Sequence, residues 1–159
     1  MKKIILIAAA IIVLAVIWFF FFRTYEVAED IFEGVSVQEI EEATVMVSYP
    51  DGIDVGVPGP RDLTESEIES LKTAMQNTKV RRSDAFDTFS SFADREIVFT
   101  ARIKVDEGVY ETNSYAIQYT STENLFQFGG EGPGIRSAWK YKAVDGTLEE
   151  LFMSFEIFQ

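Results

Sequence analysis

Residues 4 to 22 run from Ile4 to Phe22 without one charged or strongly polar side chain. As a helix rising 1.5 Å per residue, this run is roughly 28 Å long, close to the ~30 Å hydrocarbon core of a bilayer. Only a helix can cross lipid as an open segment, because lipid offers no partner for an unpaired backbone group. Lys2 and Lys3 precede the run, Trp18 and the phenylalanines from Phe19 onward crowd its far end, and Arg23 stops it. Two lysines and the N-terminal amine on one side, against a single arginine on the other, place the N-terminus in the cytoplasm and the rest of the chain outside. The competing reading is a cleaved signal peptide. Its apolar stretch is usually ~7–15 residues and ends in small side chains, whereas this one is longer and ends in bulky rings. The expectation is a retained single-pass anchor over residues 1–23, in the cell membrane of a bacterium.

Everything acidic lies beyond that anchor. All 26 acidic residues and eleven of the 14 basic ones follow residue 23, a difference of −15. A charge of that sign and size repels nucleic acid and anionic lipid headgroups, and favours solubility or a basic partner. The chain has no Cys, so disulfides, thiolate nucleophiles and thiolate metal sites are closed to it. It also has no His, which removes the usual general base and the commonest metal ligand. Triad hydrolases and nearly all zinc sites are thereby excluded within this chain.

Residues 24–34 are acidic and short of apolar pattern, and read as a juxtamembrane stalk. From residue 35 to 159 the pattern is that of an α+β domain. Val35 and Val37 alternate with polar neighbours and suggest a first strand. Val45, Val47 and Tyr49, then Pro50-Asp51-Gly52, then Ile53, Val55 and Val57 read as a hairpin. Thr64 with Glu67 is a capping box opening a helix that carries Ile68, Leu71 and Met75 on one face and stops at Asn77. Ile97, Phe99, Ala101, Ile103 and Val105 alternate through a strand, and Tyr115, Ile117 and Tyr119 mark its return after Asp106-Glu107-Gly108. Leu125–Phe128 and Ile135–Lys142 add two short strands, and Thr147 with Glu150 reads as a second capping box before a closing helix. Short strand-to-strand links and no β-α-β rhythm give a mostly antiparallel, meander-like sheet of five or six strands with two packed helices.

No catalytic, cofactor-binding or metal-binding constellation rises above chance. The glycine-rich stretch containing Gly130, Glu131 and Gly134, with Arg136 just beyond, brings backbone N–H groups together. It lacks the Lys-Ser or Lys-Thr and the helix start of a phosphate loop. Phe86, Phe89 and Phe92 recur every third residue and read first as buried rings, second as a partner-binding ridge. Phe86, Phe89, Phe92, Gly130, Glu131 and Arg136 are therefore the candidate partner contacts. Carboxylates are plentiful, but their convergence cannot be read from spacing, so a carboxylate-only enzyme such as a glycosidase is the enzyme alternative.

The order of anchor, acidic segment, hairpin, the Thr64–Asn77 helix, the Arg81-Arg82 pair and antiparallel strands resembles small membrane-anchored extracytoplasmic proteins of uncharacterised families in Gram-positive bacteria. That resemblance covers most of the chain and carries no catalytic residue with it. The expected function is a membrane-tethered extracytoplasmic binding or accessory module. It would be held by the lipid bilayer through its first helix and would act on a basic envelope protein or peptide. It would use no cofactor and no nucleic acid. A structural domain with no specific partner is the alternative outside enzymology.

Overall fold

The computed structural model describes residues 2–47, 59–83, 94–130 and 139–155; side chains at 2–3, 20–21 and 103–105 are not described. The first element, α1, is a helix over Lys2–Phe22. Its described side chains from Ile4 to Phe19 are exposed on every side. That stretch of sixteen positions is about 24 Å long. Among the described residues, no helix is long and apolar enough to cross a membrane.

The rest is α+β, with one antiparallel sheet of eight strands. In chain order these are β1 (Thr24–Glu26), β2 (Glu42–Val47), β3 (Arg61–Asp62), β4 (Lys79–Arg82), β5 (Arg95–Asp106), β6 (Val109–Thr120), β7 (Leu125–Gly130) and β8 (Lys140–Asp145), with helices α2 (Glu65–Asn77) and α3 (Leu148–Ser154). The spatial order is β1-β4-β8-β7-β6-β5-β2-β3. The middle, β5 to β8, is the expected meander. Helix α2 then carries the chain from β3 on one edge to β4, next to the other edge.

The inward rows follow the expected period of two. Ile97, Phe99 and Ala101 on β5 are buried, opposite Ile117, Tyr115 and Asn113 on β6. Tyr119, Ile117 and Tyr115 continue across to Phe126 and Phe128 on β7. On α2 the buried residues are Ile68, Leu71, Ala74 and Met75, the stripe that its spacing predicts. Thr64 caps it as expected, with its hydroxyl accepting from the Glu67 N–H and the Glu67 carboxylate accepting from the Thr64 N–H.

Four sequence expectations are corrected. Among the described residues the strands number eight, not five or six, because the short segments β1, β3 and β4 also join the sheet. The segment 24–34 is not a stalk. Thr24, Tyr25 and Glu26 pair with Arg81, Val80 and Lys79 of β4. A single π turn over Val27–Ile31 then buries Val27 and Ile31. Phe32 is fully buried, with its ring edge-on to Phe99, Tyr115 and Phe128 at centroid distances of 5.5, 5.8 and 5.7 Å. The acidic side chains that suggested a stalk occupy the solvent side of this segment, while its apolar residues fill the centre of the core. Third, Val37 opens a short 3-10 turn (Val37–Glu39) rather than a strand. Val35 and Val37 are two residues apart and both buried, which a tight turn achieves as well as a strand does.

The fourth correction concerns α3. Thr147 makes no side-chain cap. The Leu148 N–H donates instead to the hydroxyl of Thr78, at 3.1 Å and 70 positions away. Thr78 is fully buried and its carbonyl accepts from the Val27 N–H at 3.0 Å. Gly146 makes this approach feasible. Its φ is +112°, and a Cβ there would lie 2.5 Å from the Thr78 Cα. The ends of β8 and α2 and the start of α3 thus meet at one residue. The second arm of the expected 45–57 hairpin lies outside the described residues.

Candidate functional site

Chemistry requires polar groups that converge. The described residues offer three such places. The first is a buried carboxylate, Asp94, in front of β5. It accepts from the Ser121 backbone N–H at 2.8 Å, from the Ser121 hydroxyl, and from Arg95 Nη1 at 3.0 Å. Nearby, the Tyr119 hydroxyl donates to Asn124 Oδ1 and the Asn124 amide donates to Glu149 at 2.8 Å. Burial pushes the Tyr119 phenol up to about 12, with help from the charges of Glu149 and Asp94 and against that of Arg95. The arrangement clamps the β6–β7 turn, where Asn124 holds a φ of +54°. A carboxylate that already accepts three hydrogen bonds and serves a turn is a poor base for activating Ser121.

The second place is a groove of about 500 Å³ between α2 and α3, lined by Glu69, Ser70, Thr73, Glu150, Leu151 and Ser154 among others. It holds two carboxylates, but Glu69 is 66% exposed and ion-paired with Lys72 at 2.7 Å. Glu150 is also exposed. A glycosidase needs two carboxylates facing each other in a deep, water-poor cleft, and this groove has the opposite character. Among the described residues no group of Asp and Glu could hold a metal ion.

The third place is where α1 meets the sheet. Helix α1 ends at Phe22 and β1 starts at Thr24, so Arg23 is the whole connection. Its guanidinium lies 5.3 Å from the Phe19 ring centroid and 4.9 Å from that of Tyr25. It also reaches Asp30 at 3.6 Å. Arg82, at the end of β4, lies 5.4 Å from the same Tyr25 ring and 4.4 Å from Trp139. Tyr25 is buried edge-on against Tyr141 on β8, 6.0 Å away. Two arginines, two tyrosines, a tryptophan and Phe19 near the end of α1 therefore form a collar around the junction. Arginine on aromatic faces is a stable arrangement in a partly dry setting.

Of the residues singled out from sequence, Phe86, Phe89, Phe92, Glu131 and Arg136 lie outside the described residues. Gly130 is the exposed last residue of β7, paired with Tyr115. The collar was missed. Its only sequence signals are the Arg81-Arg82 pair and Trp139, and nothing in their spacing links residues 23, 25, 82 and 139. No family model matches this sequence, and no curated protein or solved structure matches it.

Proposed function

We propose that this protein is a single-pass membrane-anchored binding or accessory module. Its N-terminus would lie in the cytoplasm and its α+β domain would sit outside, directly against the bilayer. The carrying observation is α1. Thirteen large apolar side chains between Ile4 and Phe22 are 45–71% exposed, and they point in all directions around the helix. A helix apolar on every side needs an apolar medium on every side, which lipid supplies and a partner groove does not. Taken over its full backbone, Lys2–Phe22, the helix rises about 31 Å, which matches the hydrocarbon core. The aromatic and arginine collar at its end has the composition favoured at a membrane interface.

This placement makes the domain a platform at the membrane surface rather than a sphere on a tether. Its net charge favours a basic envelope protein or peptide as partner, bound on surfaces away from the lipid. The test is protease treatment of intact cells that lack an outer barrier, combined with crosslinking in cells. The domain should be digested from outside while the N-terminal segment stays with the membrane, and one basic partner should be recovered in stoichiometric yield. Recovery of the domain from the medium with a new N-terminus near Val16 would overturn the anchor. Nothing enriched over an unrelated anchored protein would overturn the partner.

A further inference from the structure

The cations of the domain are not distributed evenly with respect to their partners. On the half of the sheet that includes β5, β2 and β3, each described arginine has a carboxylate. Arg95 pairs with Asp94 at 3.0 Å, Arg102 with Glu41 at 3.2 Å, and Arg61 with Glu67 at 2.7 Å. On β4 and β8, the strands beside the end of α1, Lys79 is paired with Glu26 at 3.1 Å and marks the far end of β4. Arg81, Lys140 and Lys142 make no ion pair with any described residue.

Strand register brings these three together. Thr24, the residue after the α1 junction, pairs with Arg81, and Arg81 pairs with Lys142 on the next strand. Adjacent strands are about 4.8 Å apart, so this row reaches roughly 10 Å sideways from β1. β8 runs parallel to β1 because both are antiparallel to β4, which puts Lys140 two residues nearer to the α1 end than Lys142. Thr24, Arg81 and Lys142 are exposed and share the sheet face opposite the core, while Arg82 turns inward to Tyr25 and Trp139. Helix α1 also touches β4 directly.

We infer that Arg81, Lys140 and Lys142 form a docking surface for the anionic headgroups of the leaflet from which α1 emerges. The inference rests on the anchor reading above, which sets the position of that leaflet. The domain as a whole is acidic, yet exposed charges beyond about 10 Å are screened at ordinary ionic strength, so the local cations decide the contact. Each such cation near an anionic surface favours association by about fivefold. Sheet twist of roughly 20–25° per strand turns the distant strands away from the α1 axis, which confines the contact to β1, β4 and β8.

The test uses the full chain with Trp18→Phe, which leaves Trp139 as its one tryptophan. Trp139 is half-buried beside Arg82 and reports on the adjacent headgroup layer. The protein is placed in nanodiscs of phosphatidylcholine alone or with roughly one phosphatidylserine in four, a realistic anionic fraction. Both disc types contain headgroup-spin-labelled lipid as quencher. Quenching of Trp139 should be at least about threefold greater in the anionic discs, and the difference should collapse at about 0.5 M salt. Lys142→Glu should abolish the difference, whereas Arg102→Glu, an equal charge change on β5, should leave it. Equal quenching in both lipids, or equal loss in both variants, would overturn the inference. If Lys142→Glu loses its circular dichroism, Lys142→Gln and the salt titration of the parent chain decide instead. A chain that elutes free of the discs would sink the anchor reading itself, a result distinct from insertion without lipid preference.

Discussion

The two sides of the sheet handle positive charge differently. Around β2, β3 and β5, arginines are locked to carboxylates and serve the fold. Around β1, β4 and β8, Arg23 and Arg82 lie on aromatic rings, and Arg81, Lys140 and Lys142 make no ion pair with a described residue. A partly buried pair such as Arg61–Glu67 contributes modestly to stability, whereas an unpaired cation on an exposed strand contributes almost nothing to it. The unpaired set is therefore where a partner of opposite charge has something to gain. Under the proposed docking, the same contrast would let a domain of net charge −15 face an anionic surface with one edge.

The comparison can be broken first at its foundation. Gly146→Ala places a Cβ against the Thr78 backbone and forces a side chain into a positive φ, so it should cost more than about 3 kcal/mol. Urea denaturation measures it. A cost below 1 kcal/mol would show that the Thr78 junction does not hold β4, α2 and α3 together. Phe32→Ala should cost a similar amount, about 3–5 kcal/mol, because the ring fills the centre of the core between β5, β6 and β7. A change of only a few tenths would restore the view of residues 24–34 as a dispensable stalk.

Those two positions also show what could be read from the sequence and what could not. The long strands were legible because their inward residues alternate over several positions, as in Tyr115, Ile117 and Tyr119. Helix α2 was legible because Thr64 and Glu67 announce its start. β1 and β4 offered three and four residues each, with one central inward residue apiece, Tyr25 and Val80, set among charges. Periodicity needs more positions than that. The cap of α3 was misplaced because its acceptor, Thr78, is supplied from another part of the chain. The collar was illegible for the same reason: Arg23, Tyr25, Arg82 and Trp139 become neighbours only through strand order.

A smaller effect sharpens the paired side. The Arg61 guanidinium, donating to both oxygens of Glu67, holds that carboxyl at about 2 instead of the ordinary 4.5. A depressed folded value adds stability that is fully present above the ordinary value and is lost as pH falls through about 2. Both side chains are near a third exposed, so solvent screening reduces the net worth to about 1 kcal/mol. Glu67→Gln should therefore cost about 1 kcal/mol at neutral pH, and the gap should close toward pH 2. A pH-independent gap would assign the loss to the helix cap alone. On the other side of the sheet, Arg81→Ala should change stability by less than about 0.5 kcal/mol. A loss of 2 kcal/mol there would mean that Arg81 serves the fold, and the contrast between the two sides would fail.

The proposed docking depends on the anchor reading, which puts the sheet outside a membrane crossed by α1. The chain has no Cys, so single cysteines give a clean background for labelling. Lys3→Cys places one in the first turn of α1 and Met46→Cys places one on the exposed face of β2. On intact cells without an outer barrier, a membrane-impermeant maleimide should label Met46→Cys and reach Lys3→Cys only after permeabilisation, with both variants in the membrane pellet after an alkaline wash. Labelling of Lys3→Cys from outside, or release of either variant into the wash, would contradict the account.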